Sequence, residues 1–182
     1  MRGHQRKEEM AVTKTILKPG DAGVADTIQI MNGYVRKYAR DGRVQAIVKQ
    51  AERTAAMERS SERREIAKLK YLYNYVVNKM TYKPDPQWAE LVKSVKHTLF
   101  GSQPYGDCDD LSIAAATLFA GAGHKVAFKT VAWRPSDPDK RFSHVYLMVQ
   151  AFGGWLPMDP TMGEKGFGNE IRQVTRRRNW KV

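Results

Sequence analysis

Three side chains in this chain of 182 residues are of the right types to do chemistry together: Cys108, His144 and Asp159. Cys108 is the single cysteine, set in Tyr105-Gly106-Asp107-Cys108-Asp109-Asp110. It falls where a loop is expected to turn into a buried helix. The unpaired N–H groups and the dipole of a helix N-terminus favour a thiolate, the form in which a cysteine is nucleophilic. The same setting offers the cysteine's own backbone N–H to an oxyanion. A thiol nucleophile needs an imidazole to take its proton, and the imidazole needs an acceptor to fix its tautomer. His144 begins one expected strand and Asp159 ends the next. Of the other histidines, His4 lies in a charged arm, His97 reads as surface, and His124 reads as a helix-end cation. Asp107, Asp109 and Asp110 work against the thiolate unless they cap the helix, are buried in the neutral form or hold a cation. One cysteine with scattered histidines offers no metal-ligand pair, and no metal or cofactor is expected.

Strand parity tests the His144–Asp159 pairing. His144, Tyr146 and Met148 share one face of an extended strand, and Val145, Leu147 and Val149 the other. An even-numbered hairpin loop puts Asp159 on the His144 face. A two-residue turn at Gly153-Gly154 sets Asp159 opposite Met148. A four-residue loop, Gln150 to Gly153, sets it opposite His144. The longer loop, or a bulge that restores the shift, is therefore predicted.

The elements around these residues follow from periodicity. Val24, Ile28, Met31, Val35 and Tyr38 form a helical stripe beginning near Asp21 or Asp26, and Asp41-Gly42 breaks it. Val44, Ile47, Val48, Ala51 and Ala55 form a second stripe. Ser60 or Ser61 caps a third, with Ile66, Leu69, Leu72, Tyr73, Val76, Val77 and Met80 on its apolar face. Thr81 to Gln87 is an extended connection. Trp88 to Phe100 reads equally as a short helix or an irregular wrap. Leu111 to Ala122 is apolar nearly all round, the mark of a helix buried on every side. The period then changes, with strands expected over Lys125–Trp133, His144–Gln150 and Trp155–Asp159. Helices first and an antiparallel meander last make an α+β domain. The expected layout is a basic N-terminal arm (1–20), a domain over 21–164 whose part 21–80 is helical, and a basic C-terminal tail (165–182).

The chain carries 31 Lys/Arg against 19 Asp/Glu, and no apolar run reaches the roughly 18 residues of a membrane span. The excess lies in residues 1–70 and 165–182, with Arg176-Arg177-Arg178 as its one dense run. Such flanks suit an anionic partner, and read equally as solvated faces. Met1 to Gly20 has no apolar signal region, so Sec secretion is not expected.

Gly106-Asp107-Cys108-Asp109-Asp110, Ser143-His144-Val145-Tyr146 and Trp155-Leu156-Pro157-Met158-Asp159-Pro160-Thr161 together resemble the transglutaminase-like superfamily of papain-type cysteine enzymes. The likeness spans about residues 35–162 and is nearest to the small members encoded by tailed bacteriophages and prophages. It implies a papain-like core, with a central cysteine-bearing helix packed on an antiparallel sheet. It implies Cys108 as nucleophile, His144 as base and Asp159 as the group that orients it. For a second oxyanion donor the candidates are Gln103, Trp88 and Tyr105. The activity implied is acyl transfer on a protein or peptide substrate. The place implied is the bacterial host cytoplasm or the virion, with DNA or a phage structural protein as further partners of the basic flanks. The family's frequent His-Ala-Trp string is here His144-Val145-Tyr146.

Overall fold

The computed structural model describes residues 12–15, 20–86, 90–132 and 142–182. Strand β1 (Val12–Thr15) precedes three helices, α1 (Asp21–Tyr38), α2 (Gly42–Ala55) and α3 (Ser61–Lys79). Short strands β2 (Thr81–Tyr82), β3 (Glu90–Lys93) and β4 (Tyr105–Gly106) lead into α4 (Cys108–Gly121). Strands β5 (Val126–Ala132), β6 (His144–Ala151) and β7 (Gly154–Met158), a 3₁₀ stretch (Pro160–Gly166) and β8 (Arg176–Lys181) complete the chain.

The helix boundaries follow local chemistry. Asp41 caps α2 by accepting from the Arg43 N–H at 2.9 Å, and the Ser60 hydroxyl caps α3 by accepting from Arg63 N–H at 3.2 Å. Neither predicted cap serves α1. Gly20, at φ 68°, stands at its start without a side-chain bond, and Asp21 inside the first turn pairs instead with Arg176.

Helix α4 is the centre of the molecule. Its Leu111, Ile113, Ala114, Ala115, Ala116, Leu118 and Phe119 are all buried, so it has no solvent face. Helices α1, α2 and α3 pack on one side of it and β6 and β5 on the other. The main sheet is antiparallel in the order β7-β6-β5-β8. Val145, Leu147 and Val149 of β6 join the α4 core, as the period-two reading requires. This is the α+β architecture expected, with the cysteine at the head of the buried helix. Among the described residues no helix is long and apolar enough to cross a membrane.

Three segments differ from expectation. The residues read as a C-terminal tail include β8, which pairs along β5 from Ala127↔Lys181 to Ala132↔Arg176. Its arginines hid the strand, because an edge strand can keep a charged, solvated composition. The N-terminal arm includes β1, which pairs antiparallel with β3. Of the stretch Trp88 to Phe100, read as a short helix or an irregular wrap, the described part begins with β3, a strand not expected there, and continues as a run of turns rather than a helix. Residues 87–89, which include the oxyanion candidate Trp88, lie outside the described residues.

Candidate active site

Cys108 is the first residue of α4 and is half-buried. Asp107 stands before it as the N-cap residue but makes no side-chain cap bond. The predicted capping role for the aspartates therefore does not hold for Asp107, whose Oδ1 is buried without a hydrogen-bond partner among the described residues. Ser112, one turn further along the same face of α4, donates its hydroxyl to Val145 O at 3.2 Å. Val145 follows His144. The face of α4 that carries the thiol is thus docked on the first residues of β6, where the imidazole is mounted.

The imidazole meets Asp159. His144 Nε2 and Asp159 Oδ2 are 2.7 Å apart. The route differs from the one predicted. The β6–β7 hairpin turns through two residues only, Phe152 and Gly153, between the Ala151↔Gly154 pair. Both have positive φ, 52° and 75°, the pattern of a type I′ turn. The last pair is Leu147↔Met158, so Asp159 follows opposite Tyr146, two residues from His144. Diagonal neighbours of this kind on one face lie roughly 7–8 Å apart at their Cα atoms, within reach of an imidazole and a carboxylate. The parity argument holds, while the longer loop is replaced by a diagonal contact.

Asp159 is held from several sides. Its Oδ1 accepts from Thr161 N–H at 3.1 Å and Thr161 Oγ1–H at 2.6 Å, leaving Oδ2 to His144. Its backbone N–H donates to Gly166 O at 3.0 Å. The buried Tyr73 hydroxyl of α3 lies 2.7 Å from Asp159 O and 2.6 Å from Gly163 O, and its one proton serves these two carbonyls in turn. A Cβ at Gly166 would stand 1.9 Å from Asp159 O and 2.4 Å from the Tyr73 hydroxyl, so the closed loop admits only glycine there. Burial, with the Asp159 charge nearby, pushes the Tyr73 hydroxyl above its ordinary range, so it remains a donor at any working pH. Tyr73→Phe is expected to lower stability by about 1–3 kcal/mol, because it leaves buried carbonyls unpaired. It should also broaden the imidazole N–H proton signal of His144 in an NMR spectrum. An unchanged melting temperature and an unchanged signal would show that Tyr73 holds nothing.

The aspartates find a different partner. Asp107, Asp109 and Asp110 gather their carboxylates within 4.8 Å of one another. Lys93 of β3 answers this charge. Its backbone N–H donates to Asp110 Oδ1 at 2.8 Å and its Nζ to Asp110 Oδ2 at 2.5 Å. The remaining Nζ protons reach Asp85 Oδ1 and Leu91 O, each at 3.2 Å. Burial pushes the Asp110 carboxyl up, against the pull of Lys93, while Asp110 and Asp85 together raise Lys93 despite its own burial. Two donors of Lys93 on the two oxygens of Asp110 are the geometry of an ion pair, and Lys93 carries its charge. A Cβ on Gly106 would sit 2.3 Å from the Asp110 Cβ, so glycine is what lets the loop pass this carboxylate.

Behind His144 lies a second polar group. Tyr146, buried and next to His144 on the same strand face, donates to Glu170 Oε1 at 2.9 Å, and Lys129 of β5 pairs with the same oxygen. Burial works against the Glu170 charge, but the bonds from Lys129 and Tyr146 outweigh it and hold the carboxyl below its ordinary value. A depressed pKa gives stability present above the unfolded value of 4.5 and lost as pH falls through the folded one. Glu170→Gln should therefore lose melting temperature at pH 7 and show a smaller further drop below pH about 4.5 than the unaltered chain. A parallel pair of acid profiles would contradict the assignment.

The other candidates separate. Gln103 is exposed on the loop before β4. Tyr105 pairs with Thr81 through β4, and its ring lies against His97 and under Lys83. His97 is thus half-buried rather than surface. His124 is not the helix-end cation expected: burial and Lys68 hold it below its ordinary value, while Glu65 lies 3.3 Å from Nε2. Arg176 pairs with Asp21 and covers Phe142, Arg177 lies 3.9 Å from Glu170, and Arg178 stacks 3.9 Å from the Trp180 ring centroid. The run read as an anion-binding site is thus drawn into contacts within the chain. Lys93 and Tyr73 were missed. An aspartate in an otherwise apolar helix does signal that a buried cation must exist, without saying where it lies.

A family model described as the transglutaminase-like superfamily matches residues 51–160. A comparison with curated proteins gives no match. Among solved structures, a candidate cysteine protease from Cytophaga hutchinsonii is 13% identical, with 91% of this chain and 55% of that one covered at a TM-score of 0.47. A structure described as a TGase is 17% identical, with 82% of this chain and 35% of that one covered at a TM-score of 0.40. A candidate protease from Parabacteroides distasonis is 12% identical, with 69% of this chain and 25% of that one covered at a TM-score of 0.44. The chain spans about half of the first of these proteins and a smaller share of the other two.

Proposed function

The chain belongs to the transglutaminase-like superfamily, and from that premise we propose that it is a thiol-dependent acyl-transfer enzyme acting on amide bonds. The observation that carries the proposal is the 2.7 Å contact between His144 Nε2 and Asp159 Oδ2, on a strand to which the cysteine helix is docked. With Nε2–H donating to the carboxylate, Nδ1 is the nitrogen left for the thiol. Cys108 Sγ attacks the amide carbonyl, and a C–S bond forms as the carbonyl oxygen takes negative charge. The Cys108 N–H at the helix start stabilises that oxygen, with Gln103, Trp88 and Tyr105 as candidate second donors. The C–N bond then breaks, and the proton held by His144 goes to the leaving amine. Water, giving its proton to His144, releases the acid from the thioester; an amine in its place gives a new amide.

The substrate on this reading is a protein or peptide. The motif likeness to phage-encoded members suits a phage or prophage protein working in the bacterial host cytoplasm or carried in the virion. A second reading keeps the fold as a binding module without turnover, its basic flanks docking on DNA or a phage structural protein. The uneven charge of the chain favours it. The deciding experiment is mass spectrometry of a peptide pool incubated with the protein, with and without added primary amine. Cleaved or amine-modified peptides that vanish with Cys108→Ala support the enzyme. An unchanged pool for both proteins supports the binding module.

A further inference from the structure

A second site lies at the opposite end of α4 from Cys108, about 20 Å along the helix at 1.5 Å per residue. A cleft of about 910 Å³ opens there between the C-terminal ends of α1 and α4 and the β6–β7 hairpin. Arg36 in the last turn of α1 and Arg40 in the turn that follows it line the cleft together with Lys125 and Lys181. All four are exposed, and none has a side-chain ion pair or hydrogen bond among the described residues. No lining side chain carries a carboxylate. Trp155 stands on the rim, 45% exposed.

Cations at helix C-termini have an ordinary reason to be there, since each gains about 0.3–1 kcal/mol from the dipole. That reason does not cover this cluster. One carbonyl at the end of each helix is served by a neutral group instead: Gln45 Nε2 donates to Ala39 O at 2.8 Å and to Gly121 O at 3.1 Å. Four cations remain around an open cleft, beside an exposed indole, in a chain with a formal net charge of +12.

We propose that this cleft binds single-stranded nucleic acid, the four cations tracking phosphates and Trp155 stacking on a base. A chain that passes through suits the cleft better than an enclosed small ligand, because its walls are exposed side chains. An indole face accepts any base, so binding should depend little on sequence. The site is independent of the thiol chemistry and does not use the arginines of β8.

Fluorescence anisotropy with a labelled oligothymidylate across a salt series tests it, using the full chain. Four phosphate contacts predict a slope of log K against log salt of about −3. Arg36→Gln with Arg40→Gln should flatten the slope by about 1.4 units. Trp155→Ala should weaken binding about tenfold and leave the slope unchanged. Arg53→Gln with Arg59→Gln, an equal loss of charge outside the cleft, should leave affinity close to that of the unaltered chain. All these substitutions are at exposed positions, and circular dichroism confirms the fold before binding is compared. No binding of the oligonucleotide would overturn the proposal, as would equal weakening by the two arginine pairs, which would mean diffuse attraction. Binding of polyglutamate as tight as that of the oligonucleotide would also overturn it, making the occupant an acidic peptide.

Discussion

His144→Ala is expected to lower turnover by about 10²- to 10⁴-fold while leaving the fold in place, the usual range for removing a general acid–base group. The argument rests on what the ring does. Its Nε2 is engaged with Asp159 at 2.7 Å, and its ring lies 5.9 Å from that of Tyr146 between ring centres. It sits at the start of β6 and is not part of the apolar core. The His144 side chain is 10% exposed and that of Asp159 1%, so the variant also leaves a buried carboxylate without its imidazole and should lose melting temperature; activity compared well below the variant's own melting point separates chemistry from stability. Asp159→Asn is the companion variant. It keeps the volume and the Thr161 contacts but removes the charge that favours an imidazolium, and should lie between His144→Ala and the unaltered chain. Activity retained in His144→Ala would remove the base from the account.

Lys93→Met should be the most damaging change to stability, by about 3–5 kcal/mol, or a fall of about 6–20 °C in melting temperature. The ammonium uses all three protons, on Asp110, Asp85 and Leu91, and Asp110 is fully buried. Removing the cation leaves a buried carboxylate beside Asp107 and Asp109, which must take a proton or draw in water. The double variant Lys93→Met with Asp110→Leu should recover much of the loss, since a buried pair contributes little over well-packed apolar groups of similar volume. Because Asp110 is two residues from Cys108, the single variant should also disorder the cysteine loop. A single variant as stable as the parent would mean that the pair is dispensable and the aspartates are neutralised in another way.

These two predictions come from different layers of legibility. His144 and Asp159 could be found from one chain, because period-two alternation fixes a face regardless of register. The register is not legible, since Phe152 at positive φ gives no signal comparable to the glycines beside it, and the predicted loop, Gln150 to Gly153, is two residues longer than the turn that forms. Helix α4 was legible because twelve apolar or small residues in a row leave no polar face to misread. Lys93 was not, because pairing across 17 residues has no period. Strand β8 is hidden for a related reason: Arg176, Arg177 and Arg178 look like a solvated run, and it is the long-range backbone pairing with β5 that makes them an edge. Side-chain chemistry that acts locally along the chain could be read from it. Long-range charge pairing could be anticipated only as a need.

The most direct test of the central claim is the rate of Cys108 alkylation by iodoacetamide as a function of pH, in the unaltered chain and in His144→Ala. There is one cysteine, so the signal has a single source. An imidazole-paired thiol at a helix start should react with a profile that stays high well below pH about 8.5, the ordinary thiol value, and removal of His144 should return the profile to that value. Two superimposable profiles, both centred near an ordinary thiol, would contradict the assignment of Cys108 and His144 as a working pair.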